Sequence, residues 1–265
     1  MKTKKERELK FFPVTFLLFL VCTFTFSVSC KKADDSNNTP TDRLLSESIG
    51  PYGTREYQYY PDNKIKYVKG LIMEYNKSYY YNNQNITIIE SNDLINIDTS
   101  LLTLNSNGLV EKSFTGVYYN NGHSYTEYRE YYFYDGNNYL IEEIDTIGPP
   151  NDFSEIFNHF YTITDGNITK DSLSHSTHLG GYIGSLVTNY TFYLDKANSV
   201  TNDSRGIGFY GKSNFNPIKN FTVSFPPYVY SYKYEYDQKN RIIKSTRSST
   251  DTITDPQISN FIYRD

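Results

Sequence analysis

Tryptophan is absent from the 265 residues, and there are only two cysteines, two methionines and ten prolines. The cysteines are Cys22 and Cys30, so nothing beyond residue 30 can form a disulfide or a thiolate metal site. Stability must come from packing and backbone hydrogen bonding. A mean hydropathy of −0.60 leaves no room for a bundle of membrane-spanning helices. After residue 29 no window sustains a 3.6-residue apolar period, which excludes long amphipathic helices. Basic residues never run beyond Lys31-Lys32, which argues against nucleic acid as a partner. No GxSxG, HExxH, P-loop or GxGxxG sits in a strand–turn–helix context, so nucleophilic, zinc-protease and nucleotide chemistry have no support, and no cofactor is expected.

What is abundant is aromatic: 28 Tyr and 17 Phe, too many for a disordered chain and typical of β-structure. The start of the chain stands apart. Residues 1–10 carry five basic and two acidic side chains, and residues 11–29 carry no charge, the pattern of an export signal. Ser27-Val28-Ser29-Cys30 resembles a lipobox, which predicts cleavage before Cys30 and acylation of Cys30 as the attachment to a membrane. Removal of residues 1–29 shifts the formal charge from −4 to −7. Lys31 stands where an Asp resembles an inner-membrane retention signal, so an outer-membrane location is expected. Lys31-Lys32-Ala33-Asp34-Asp35 resembles a surface-export tag, which favours the cell surface over the periplasmic face. Residues 31–50 hold no aromatic side chain and read as a polar tether. The expected division is a signal peptide over 1–29, lipidated Cys30 and tether over 30–50, and one β domain over 51–265.

That domain repeats one pattern seven times. Its last copy places Tyr232, Tyr234 and Tyr236 on one strand face, follows them with Asp237-Gln238-Lys239-Asn240, and returns through Ile242 and Lys244. This is a β-hairpin whose last turn residue requires positive φ. Aligning the other copies predicts the same role for Asn63, Asn85, Gly108, Asn138, Asn167, Asn198 and Asn240, at spacings of 22, 23, 30, 29, 31 and 42 residues. Before these turns stand Tyr57 and Tyr59, Tyr79 and Tyr81, Leu102 and Leu104, Tyr132 and Tyr134, Tyr161 and Ile163, and Phe192 and Leu194, all suited to an inward face. The fold class is therefore all-β: an antiparallel meander of about seven hairpins curled into an open or partial barrel, with a β-propeller as the alternative. A membrane-embedded barrel is disfavoured by Arg129, Glu142, Lys233 and Glu235 on the faces opposite the tyrosines.

The hairpin YEYDQKNRI resembles a tyrosine-aspartate repeat of the Rhs type, and FYGKSNFNPIKNFTV at 209–223 resembles a segment of an outer-membrane lipoprotein family of unknown function with a porin-like fold. The resemblance implies an antiparallel curled sheet in a surface or periplasmic lipoprotein, and it brings no catalytic residues with it.

Among candidate chemical groups, only His175 and His178 have ligand-like spacing, with Asp171 as a possible third ligand, and a solvated loop explains them better than a metal. Asp135, Asp195 and Asp237 sit where turns use an Asx side chain. Consecutive aromatics cannot all face inward, so Tyr80, Tyr131 and Phe133 are predicted on an outer surface as ligand-binding candidates. Asp145-Thr146-Ile147, Asp171-Ser172-Leu173 and Asp251-Thr252-Ile253 resemble O-glycosylation sites, which would require exposed loops. The function expected is a non-enzymatic lipoprotein that binds a glycan or peptide or joins an envelope assembly. The alternatives are a polysaccharide hydrolase and a purely structural envelope protein.

Overall fold

The structure, a computed structural model, describes residues 43–264 apart from 52, 73–75, 92–96, 120–123, 149–153, 178–180, 225–226 and 251–255. The segment predicted as a signal peptide, Cys30 and residues 31–42 of the predicted tether lie outside the described residues. The strands in order are β1 (Leu45–Gly50), β2 (Gly53–Tyr59), β3 (Ile65–Ile72), β4 (Asn76–Asn82), β5 (Asn85–Ser91), β6 (Ile97–Leu104), β7 (Val110–Tyr119) and β8 (Ser124–Tyr134). They continue as β9 (Leu140–Gly148), β10 (Glu155–Thr164), β11 (Asn167–Thr177), β12 (Tyr182–Phe192), β13 (Ile218–Ser224), β14 (Pro227–Tyr236), β15 (Ile242–Ser249) and β16 (Gln257–Tyr263).

Every strand is antiparallel to its neighbours in sequence, and β1 pairs with β16 through Leu45↔Tyr263 and Ile49↔Asn260. The sheet is thus a closed 16-stranded barrel, which corrects the expectation of an open or partial one and, being a single sheet, excludes the propeller. The strand that closes it comes from the presumed tether. Leu45–Gly50 lacks aromatics but pairs with β2 on one side and β16 on the other, and Leu44 and Leu45 are fully buried. Closure removes the two unpaired edges that a sheet of this width would expose.

Seven connections lie at one end of the barrel, and four share one design. Asn63, Gly108, Asn138 and Asn240 have φ of 65°, 75°, 68° and 58°. In three of these turns the residue opening the turn (Asn105, Asp135 or Asp237) accepts two backbone N–H groups on one side-chain oxygen. Three assignments need correction. Asn85 and Asn167 open β5 and β11, because tight two-residue turns precede them, with positive φ at Asn83 (49°), Asp165 (49°) and Gly166 (75°). Asn198 belongs to no hairpin: it pins a long excursion over 193–217, donating its N–H to Phe215 O and its side-chain amide to Asn214 O.

This excursion plugs the turn end. Phe209 packs into the core with Ile65, Val68, Tyr79, Ile86, Ile88, Leu102, Val110 and Tyr132. Two glycines allow the close approach. At Gly206 (φ 70°) a Cβ would lie 2.8 Å from Ile65 N, and at Gly211 (φ 82°) 2.7 Å from the Tyr134 ring.

Candidate ligand-binding wall

Directly paired residues in an antiparallel sheet share a face, so the register sorts side chains into inner and outer rows. One inner row runs Glu130↔Asp145↔Phe157↔His175, and the next runs Tyr132↔Glu143↔His159↔Leu173. Tyr161↔Asp171↔Thr188 begins a third. Hydrogen bonds tie the rows together. Tyr132 Oη donates to Glu130 Oε2 at 2.8 Å, Tyr161 Oη donates to Glu143 Oε2 at 2.9 Å, and His159 Nδ1 lies 3.1 Å from Asp171 Oδ1. The His175 ring stacks on Phe157 at 4.1 Å between centroids.

Burial on this wall shifts the protonation of Asp145 and Glu143. Burial, followed by the charges of Glu143 and Glu130, pushes the Asp145 carboxyl up to about 6. Burial also raises Glu143, against the opposing bond from Tyr161. His159 is raised chiefly by its hydrogen bond with Asp171. Asp145 Oδ1 and His175 Nε2 are buried without a hydrogen-bond partner, the latter with Glu155 Oε2 3.5 Å away.

Beside the acids the inner wall turns aromatic over β12–β14. Tyr190 lies 5.8 Å from Phe221, Phe221 stacks on Tyr230 at 4.5 Å and 19°, and Tyr232 lies parallel to Tyr234 at 6.1 Å and 7°. The Arg247 guanidinium covers the Tyr230 ring at 5.3 Å. Flat apolar faces beside carboxylates match what a polyhydroxylated ligand presents: C–H faces to stack and hydroxyls to donate.

The outer wall is of another character. Thr191↔Asn220↔Ser231↔Ser248 forms an uninterrupted polar row, and Lys170↔Asn189↔Thr222 another. A lipid-facing barrel needs an apolar band about 25 Å tall on this face. The described residues of β11–β15 carry none. Tyr80, Tyr131 and Phe133 lie on the outer face, with Tyr80 52% and Phe133 45% exposed. Tyr131 and Phe133 share β8, while Tyr80 stands on β4, and its row Tyr80↔Thr87↔Leu101↔Phe114 meets β8 at Arg129, two residues before Tyr131. Tyr80 also borders a hollow of about 160 Å³ with Gln58, Tyr60, Lys66 and Tyr67. Asp145-Thr146-Ile147 and Asp171-Ser172-Leu173 fall within β9 and β11 rather than in loops, and Thr252 lies outside the described residues.

Sequence reasoning missed the inner acids because Glu143 and Asp145, two residues apart on β9, look like part of an ordinary solvated face. Their common orientation depends on pairing with β8 and β10. Asp171 and His175 do share a strand face, but Asp171 bonds His159 across the sheet, and His178 lies outside the described residues. Among the described residues no three His, Cys, Asp or Glu side chains are arranged to hold a metal ion.

No family model and no curated protein matches the chain. Solved structures do. A porin-like protein from Bacteroides vulgatus superposes with a TM-score of 0.63 at 13% identity, covering 83% of this chain and 99% of that one. A porin-like protein from Bacteroides uniformis gives 0.56 at 10% identity, over 86% and 99%. The chain therefore shares the porin-like β-barrel fold.

Proposed function

We propose that this protein is a non-enzymatic, lipid-anchored outer-membrane barrel, displayed at the cell surface, that binds a glycan along its inner wall. The observation that carries the reading is the aromatic ladder from Tyr190 to Tyr236 beside the acids of β8–β11. The polar outer rows of β11–β15, which leave no apolar belt around the whole barrel, favour a barrel standing in water and held to the membrane by acyl chains on Cys30, over one embedded in lipid. A second reading puts the ligand on the outer face at Tyr80, Tyr131 and Phe133. The exposure of Tyr80 and the hollow beside it favour that reading, although about 160 Å³ falls below the several hundred Å³ of most ligand pockets.

The test is a polysaccharide-binding screen of the purified mature chain carrying Cys30→Ala. Tyr232→Ala and Phe221→Ala are expected to weaken binding by roughly ten- to hundredfold each, while Tyr80→Ala and Tyr131→Ala leave it unchanged. The opposite pattern moves the site to the outer face. Retention of no glycan refutes both readings, and release of reducing ends would establish a hydrolase.

A further inference from the structure

The sixth connection ends in two large apolar side chains that nothing in the barrel covers: Leu194, 76% exposed, and Phe215, 63% exposed. They do not belong to a loose loop. Tyr193 N bonds Pro217 O, Lys196 N bonds Tyr193 O, and Phe215 N bonds Gly166 O at 2.9 Å. Between them Asn216, only 5% exposed, donates its side-chain amide to Lys196 O and Leu194 O, and it is locked to buried Asn167. Two large apolar groups held in place at one turn end, rather than on a loose loop, form a surface suited to an apolar counterpart.

The course of the chain indicates which one. β1 starts at this same end, where Leu44 O accepts Arg264 N and Tyr59 Oη donates to Leu45 O. A coil as long as the stretch from Cys30 to Leu44 spans roughly 20 Å. On the lipid-anchored reading, acyl chains on Cys30 would keep a bilayer within that reach of the plugged end. Lysines stand at the same end: Lys196 Nζ lies over the Tyr236 ring, Lys219 Nζ over Tyr193 and Lys212 Nζ over Tyr139. The acidic side chains of the fifth and sixth connections are Asp165, Asp195 and Asp203, the last interacting with Lys212.

We infer that the plugged end is a membrane-contact face, with Leu194 and Phe215 entering the interface of an anionic bilayer. This rests on the lipid-anchored reading for its orientation, and it is testable without the anchor. The mature chain carrying Cys30→Ala is floated with vesicles of phosphatidylethanolamine and phosphatidylglycerol, and again with phosphatidylcholine alone. Binding to the anionic vesicles is expected. It should fall at least tenfold in the Leu194→Asp/Phe215→Asp double variant at an unchanged melting temperature, and persist in Leu101→Asp/Phe133→Asp, which alters the outer wall. No vesicle binding, equal binding by the Leu194/Phe215 variant, or loss in the outer-wall variant instead would overturn the inference. The intact mass of the native protein reads the anchor separately. An unmodified Cys30 with vesicle binding intact refutes the anchor and leaves the contact face standing, whereas an acylated Cys30 without vesicle binding refutes the contact face alone.

Discussion

Asn167 and Asn216 face each other with their amides reciprocally engaged: Asn167 Nδ2 donates to Asn216 Oδ1 at 3.0 Å, and Asn216 N donates to Asn167 Oδ1 at 2.8 Å. Both residues are almost fully buried. The pair joins the start of β11 to the end of the plug. Asn167→Ala leaves the Asn216 N–H and side-chain oxygen without partners, so it should destabilise the barrel by about 2–3 kcal/mol in urea unfolding. A loss under 0.5 kcal/mol would show that the plug is held by its apolar contacts alone.

Phe209 is the largest apolar contribution of the plug to the core. Phe209→Ala should cost about 3–5 kcal/mol. Limited proteolysis should then cut within 193–217 before any strand; first cleavage elsewhere would mean the plug is not the element released.

At Asn240, φ of 58° makes an asymmetric demand. Asn240→Gly should be neutral or slightly stabilising, and Asn240→Val should cost about 1–2 kcal/mol, because a β-branched residue is penalised in the left-handed region. Equal stability of the two variants would contradict the turn geometry.

The inner acids set a pH dependence. Asp145, Glu143 and His159 all bind a proton more tightly in the folded barrel than an unperturbed group would. A carboxyl raised by folding contributes stability below its unfolded value, and that contribution disappears as pH climbs through about 6 for Asp145. His159, also raised, loses its contribution above its ordinary value near 6.5. The melting temperature should therefore fall from pH 5 to pH 8. Asp145 is only about half buried, so screening limits its share to about 1 kcal/mol. Asp145→Asn should flatten the profile, and a melting temperature that rises over this range would refute the assignment.

Cys30→Ala should move the protein from the membrane fraction to the soluble fraction or stall it as a precursor. Fractionation with intact-mass measurement checks this. Wild type that is membrane-bound yet unprocessed would mean that residues 11–29 are the anchor.

How much was legible depends on the range over which each feature is encoded. Alternation such as Tyr232-Lys233-Tyr234-Glu235-Tyr236 is local, and β14 carries it over its length. The turns at Asn63, Gly108, Asn138 and Asn240 are equally local, since each is set by a few consecutive residues. Asn82-Asn83-Gln84-Asn85 offers three asparagines within four positions, and only the ladder Asn82↔Asn85 identifies Asn83 as the left-handed one. Leu194 matched the inward column of the repeat yet stands at the tip of a turn, because the plug interrupts the sixth hairpin. The acids of the inner wall are set by partners more than ten residues away in sequence, and no periodicity records them.

The pairing of Leu45 with Tyr263 also orders events in time. β1 is the first strand of the barrel in chain order, yet one of its two ladder partners is the last, so one of its edges stays unsatisfied until β16 is in place. Contacts of such long sequence separation form late, after their loop-closure entropy has been met. The final step of folding is therefore the sealing of the β1–β16 seam. Amides on the shared edge of these two strands should gain protection from hydrogen exchange last on refolding, and in the native protein they should be the first of the ladder to open.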